Sequence, residues 1–154
     1  MVDVPTRLAE LGWALPTPPK PIAAYVPFVR SGNLLFISGQ LPWREKQLLA
    51  VGKVPSVVSI TQGQQAAAQC IVHALAVAGM ALDGDWSRLV RAVRLGVFVQ
   101  CDDPFTEQAQ VANGASELLQ QVLGDAGRHA RAAVGVNALP LGASVEVECL
   151  FEVR

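Results

Sequence analysis

Apolar and polar residues alternate strictly at the end of the chain. Val145, Val147, Cys149, Phe151 and Val153 share one parity, and Glu146, Glu148, Glu152 and Arg154 share the other. A period of two predicts a strand with one buried face. Just ahead, Val134 and Val136 alternate with Arg131, Gly135 and Asn137, which predicts a second strand. Leu139-Pro140-Leu141-Gly142-Ala143 between them is turn chemistry, because Pro fixes φ and Gly tolerates positive φ. Leu89 to Val99 is a third such run, with Val93, Leu95, Val97 and Val99 facing one way. Nearer the N-terminus, Ile22 to Val29 and Asn33 to Ser38 flank the Gly-containing turn Arg30-Ser31-Gly32-Asn33 and predict a hairpin. The unbroken apolar run Leu34 to Ile37 predicts a strand covered on both faces. Gly39, which follows it, predicts a bulge or a close backbone approach.

Elsewhere the period lengthens to that of a helix. Thr61-Gln62-Gly63-Gln64 reads as a capping box, followed by Ala68, Ile71, Leu75, Ala78 and Leu82 at helical spacing and a stop at Asp83-Gly84-Asp85. Asp102-Asp103-Pro104 predicts the start of a second long helix with apolar face Val111, Ala115, Leu118 and Val122, ended by Gly124. A short helix is expected over Pro5 to Trp13, then an extended Pro-rich linker from Pro16 to Pro21. Trp43 to Pro55 reads as irregular loop with a short strand around Leu48 to Val51. This order predicts an α+β sandwich, a mixed β-sheet with two long helices packed on one face. Residues 1–154 are read as one domain, of which 1–20 are the N-terminal helix and linker.

Composition sharpens the picture. Half of the 154 residues are hydrophobic (51%) and only 16% are charged, a bland surface of the kind another subunit covers. The formal net charge is -1, and Arg88, Arg91 and Arg94 divide between the two faces of their strand. With no basic cluster to neutralise phosphates, nucleic acid is not an expected partner. The three cysteines lack CxxC spacing and are read as small hydrophobes of a reduced, cytoplasmic protein. No apolar leader or membrane span is expected. No P-loop, Rossmann turn, zinc set or catalytic triad is present, so neither metal nor cofactor is expected.

Candidate chemistry gathers late in the chain. Arg131 offers a planar fork of donors matched to a carboxylate. It is flanked by Ala130, Ala132, Ala133 and Gly135, which leave room beside the guanidinium. A surface ion pair is the plainer reading. Glu146 projects from the polar side of the last strand, as Glu148 does, and only nearness to Arg131 distinguishes it. Tyr25 is the only tyrosine in the chain. Asn113 and Gly114, two poor helix formers, stand together in mid-helix, a local conflict that marks either function or tight packing. His73 reads as a solvated helix residue. His129 shares Arg131's parity and reads as either a loop-end residue or part of the same cleft.

Five blocks resemble the Rid/YjgF family of reactive intermediate deaminases, once labelled endoribonuclease L-PSP. They are Pro21-Ile-Ala-Ala-Tyr25-Val-Pro, Leu35-Phe-Ile-Ser38-Gly39-Gln40-Leu-Pro42, Val111-Ala-Asn113-Gly-Ala, Ala130-Arg131-Ala-Ala-Val134 to Leu139-Pro140, and Val145-Glu146-Val-Glu148. The match runs from about Pro21 to the end, in the family's order. The extra N-terminal helix and the Gly127-Arg-His-Ala-Arg131 segment resemble its longer-chain branch. The resemblance implies a chorismate-mutase-like α+β fold, a homotrimer with clefts between subunits, a small carboxylated substrate and no cofactor. It implies an enamine/imine deaminase that hydrolyses 2-imino acids to 2-keto acids and ammonia. By that similarity Arg131 would hold the substrate carboxylate, and Glu146 with the backbone carbonyl of Ala133 would position the attacking water. Tyr25, Gly39 and Asn113 would line the cleft. The deaminase branch often carries Cys where this chain has Ala133, a change that leaves a carbonyl role intact and reshapes the pocket. The alternative is a non-catalytic trimeric module that binds small carboxylated metabolites. A ribonuclease fits less well, given the acidic balance and the absence of a basic groove.

Overall fold

The computed structural model describes residues 3–18 and 24–154. The linker over residues 19–21 and the start of the first strand-like run at Ile22 and Ala23 lie outside them. The described elements are α1 (Val4–Glu10), β1 (Phe28–Ser31), β2 (Leu34–Gln40), β3 (Trp43–Arg44), β4 (Gln47–Leu48), α2 (Ile60–Ala81), β5 (Leu89–Gln100), α3 (Gln108–Leu123), β6 (Ala130–Val136) and β7 (Val145–Val153). Strands order as β1-β2-β7-β5-β6, antiparallel except for the parallel pair β5 and β6. The small β3–β4 hairpin stands apart.

The last strand forms as its alternation dictates: Val145, Val147, Phe151 and Val153 are 0–1% exposed and Cys149 4%. Leu35, Ile37, Leu95, Val97 and Val99 extend the same buried face, and α2 and α3 cover it with Ile71, Leu75, Ala78, Leu82, Val111, Ala115, Leu118 and Val122. Both helical stripes read from the sequence are therefore core. Gly114 lets the helices meet closely, since a Cβ there would collide with the backbone carbonyl of Gln64 on α2. The Gln64 side-chain amide donates to the Gln110 carbonyl of α3 at 2.9 Å beside this crossing.

Four local expectations differ from the structure. The capping box belongs to Ser59 and Gln62: Ser59 Oγ accepts from the Gln62 N–H and Gln62 Oε1 accepts from the Ser59 N–H. The Ser-x-x-Gln pattern two residues upstream of Thr61 satisfies the free donors first. α3 begins at Gln108 rather than at Asp102, because Asp102 is tied to the Val54–Ser56 segment through its own N–H and by accepting from Ser56 N–H. Phe105 is buried on the way. His73 is buried, not solvated, with Nε2 donating to the Trp43 carbonyl at 2.7 Å. That side of α2 meets Trp43 of the small hairpin, and Trp13 of the N-terminal segment lines the adjoining hollow, which one amphipathic stripe cannot foretell.

The fourth difference concerns the other side of the sheet. The Leu34–Ile37 run is covered on one face only, for Leu34 and Phe36 are 37% and 46% exposed. Val29 and Val134 are exposed on the same open face, paired to Phe36 and Phe98 respectively. Residues directly opposite each other in a sheet share a face, so this apolar surface spans the sheet from β1 to β6.

Candidate functional site

Arg131 stands near the start of the edge strand β6. It lies opposite Leu95, which in turn lies opposite Cys149. It therefore projects to the helix side of the sheet, toward α3. There Nη1 donates to Asn113 Oδ1 at 3.0 Å and to Ser116 Oγ at 3.0 Å, and Nη2 donates to the Ala109 carbonyl at 3.3 Å. Positions 109, 113 and 116 are spaced four and three apart, so they stack on one helical face. Arg131 is absent from the ion pairs among the described residues, which join Arg7–Glu10, Arg94–Glu148 and Arg128–Asp125. Nε–H and the second Nη2–H find no acceptor among the described residues. The side-on fork of a guanidinium is Nε–H with the Nη–H beside it, and here the Nε–H of that fork has no partner among the described residues.

A second group backs this one. His129 Nδ1 lies 2.6 Å from the Gly127 carbonyl, and Nε2 lies 2.9 Å from Ser116 Oγ. A carbonyl only accepts, so Nδ1 carries the proton, and Nε2 of the neutral ring accepts from the Ser116 hydroxyl. Burial holds the imidazole below its ordinary pKa, helped by the Arg131 charge and opposed by the Gly127 hydrogen bond.

Glu146 stands elsewhere. It lies opposite Phe98, which lies opposite Val134, so it projects onto the open face. Beside it β2 carries a bulge between Ile37 and Gln40. A Cβ on Gly39 would fall on Glu146 Oε1, so the glycine is both bulge and close approach, as its position suggested. Burial raises the Glu146 pKa, and the neighbouring Glu148 charge adds to the shift. Ser38 Oγ donates to the Val26 carbonyl at 2.7 Å, which pins the Tyr25 segment beside the same bulge. Tyr25 itself is 57% exposed.

Comparison with known proteins places this geometry. The model of the family described as Endoribonuclease L-PSP matches residues 16–153. The chain belongs to that family. Protein TCP17 of Trypanosoma cruzi is 44% identical over 152 residues, covering 98% of this chain and 94% of its own. Atu1372 of Agrobacterium tumefaciens, a protein of unknown function, is 46% identical with a TM-score of 0.93, over 98% of this chain and 92% of that one. The YjgF gene product of E. coli is 25% identical with a TM-score of 0.62, over 90% and 94%. The fold is that of these L-PSP/YjgF proteins, a chorismate-mutase-like α+β sheet with two long helices on one face and an extra N-terminal helix.

Within this family member the candidate residues fall into two groups, one on each side of the sheet. Arg131 and Asn113 meet directly on the helix side, and Ala133 lies there too, opposite Val97. Gly39 and Glu146 meet on the open side, with Tyr25 at that end. Arg131 and Glu146 thus do not share one face, contrary to the reading that set both on the polar side of their strands. Alternation assigns a face within a strand; it does not say which face of one strand continues into which of the next. Ser116 and the Ala109 carbonyl escaped the sequence reading. The available signal was the helical spacing from Asn113, one turn in each direction.

The two histidines give this L-PSP chain a pH-dependent stability. Both are held below the ordinary imidazole pKa of about 6.5, each first by burial. The unfolded chain then takes up protons that the folded chain refuses, so stability is full above that value and falls as pH drops through it. Glu146, with its pKa raised, has the opposite sign and regains stability when it protonates at lower pH. Denaturant midpoints should decline from pH 7.5 to 5.5, and His129→Gln should flatten the decline. An unchanged slope in the variant would remove His129 from the account.

Proposed function

We propose that this chain is an enamine/imine deaminase, hydrolysing 2-imino acids to 2-keto acids and ammonia in clefts between the subunits of a homotrimer. The observation that supports this reading is the Arg131 guanidinium, held by three neutral oxygens with its Nε–H unbonded among the described residues. Arg131 binds the substrate carboxylate and sets the C=N carbon at a fixed distance. Orientation of this kind supplies much of the barrier reduction when the electrophile is already reactive. Glu146 takes a proton from water as the oxygen bonds to the imine carbon and the C=N π electrons move to nitrogen. Burial raises the Glu146 pKa, which makes its carboxylate a stronger proton acceptor than a free one. Collapse of the tetrahedral adduct forms C=O, breaks C–N and releases ammonia, with the proton carried to nitrogen.

A cleft between copies also answers the two-sided placement. In one chain Arg131 and Glu146 face away from each other across the sheet; in an assembly the edge strand of one copy meets the open face of the next. The open apolar face of Leu34, Phe36, Val29 and Val134 is the surface such an assembly covers. Ribonuclease activity, which the family description names, is not favoured by a net charge of -1.

The test is direct. Protein added to a reaction that generates 2-aminoacrylate should suppress the adduct trapped by semicarbazide, and the carbonyl product should be pyruvate. No suppression at any protein concentration would overturn the enzyme. If pyruvate still raised the melting temperature, the chain would be a carboxylate-binding module instead.

A further inference from the structure

We propose that Ser116 and His129 are positioning residues for Arg131, a one-way hydrogen-bond relay that holds the guanidinium plane so that its free edge meets a carboxylate. This rests on the reading of Arg131 as the carboxylate anchor. The Gly127 carbonyl accepts from His129 Nδ1–H at 2.6 Å, His129 Nε2 accepts from Ser116 Oγ–H at 2.9 Å, and Ser116 Oγ accepts from Arg131 Nη1–H at 3.0 Å. Each link forces the direction of the next. Because the carbonyl can only accept, the ring must present a lone pair to Ser116. The hydroxyl, having given its proton to the ring, must turn a lone pair toward Arg131.

The arrangement answers a specific difficulty. Arg131 is exposed and joins no ion pair among the described residues, and such a long side chain has much rotamer freedom to lose on gripping a ligand. An Asp or Glu partner would hold it and also fill the fork. Neutral acceptors hold it and leave the charge uncompensated for an anion. Of the two acceptors other than Ser116, the Ala109 carbonyl is the more distant at 3.3 Å and holds only Nη2, and the Asn113 amide can flip. Ser116 is 8% exposed and locked by the ring behind it, so it cannot. Around His129 the charged neighbours are Arg131 and, across the adjoining hollow, Arg91, Arg128 and Glu152. None of these four forms a hydrogen bond to the ring among the described residues, so the imidazole is committed to Ser116 and Gly127. Burial keeps it neutral, the state the relay needs.

Pyruvate, the product of the proposed reaction on 2-aminoacrylate, is the probe. Its affinity by calorimetry should fall about tenfold in His129→Leu and Ser116→Ala, the worth of one hydrogen bond to a charged group. It should stay within about threefold of the parent in His129→Gln, whose Oε1 accepts in place of Nε2, and in Ser116→Thr. A second readout needs no ligand. Nitrogen-15 NMR should find rotation about the Arg131 Nε–Cζ bond hindered in the parent, His129→Gln and Ser116→Thr, and released in His129→Leu and Ser116→Ala. Equal restraint in all five proteins, or equal affinity in all five, would overturn the relay. Release of the guanidinium together with no pyruvate binding by the parent would uphold the relay and sink the proposed function. Should His129→Leu fail to fold, Ser116→Ala decides.

Discussion

Arg131→Lys is expected to lower imine hydrolysis and pyruvate affinity by at least about 100-fold while the protein melts close to the parent temperature. The size of the loss follows from geometry rather than charge. An ammonium keeps the positive charge but has neither the fork nor the reach to bond Asn113, Ser116 and the Ala109 carbonyl together. The carboxylate would then be bound as a mobile ion, and misplacement of the reacting carbon by about 1 Å costs on the order of 10² in rate. Stability should change little because Arg131 is exposed and joins no ion pair among the described residues. Turnover of an enzymatically generated imine, measured beside a thermal melt, separates the two effects. A lysine variant as active as the parent would remove Arg131 from the site. One that unfolds would make the residue structural.

Gly114→Ala should be the most damaging single-methyl change on α3, costing about 2–3 kcal/mol, or roughly 5–10 °C in melting temperature. On propensity alone alanine would stabilise a helix interior by about 1 kcal/mol. Here the added carbon would fall on the Gln64 carbonyl and also meet the Gln64 C and Cα atoms, all backbone of α2. Backbone cannot rotate away as a side chain does, so the helices must separate along a shared core. Asn113 would move with them, and pyruvate binding should weaken in the folded fraction. Glu117→Ala, on the exposed side of the same helix, is the control and should melt within about 2 °C of the parent. A Gly114→Ala protein as stable as the parent would show that the helices cross more loosely than described.

These two residues also show how far the chain could be read without coordinates. The Asn113–Gly114 conflict in mid-helix was legible because propensity is local, and it marked either function or packing. The structure shows tight packing at Gly114, which admits α2, while Asn113 turns the other way and accepts a hydrogen bond from Arg131. Gly39 was legible for a similar reason, since a glycine at the end of an apolar strand has few roles. His73 was misread because the hairpin that meets it, through the Trp43 carbonyl, lies 30 positions away in the chain. The Leu34–Ile37 run was misread as covered twice because an unbroken apolar run does not show that only one of its faces meets the helices, leaving Leu34 and Phe36 exposed on the other.

What the sequence determined by itself was the type of each main element and the buried side of α2, α3 and β7. Periods of two and of 3.6 are set by backbone geometry and can be counted on the residues alone. Which side of one strand continues into which side of the next was decided only by tertiary structure, through the Leu95–Arg131 and Phe98–Glu146 pairings on either side of β5. A shift of one residue in either pairing would have put the guanidinium and the carboxylate on a common face. Register depends on how all the strands pack against α2 and α3 at once, and no local pattern encodes that sum.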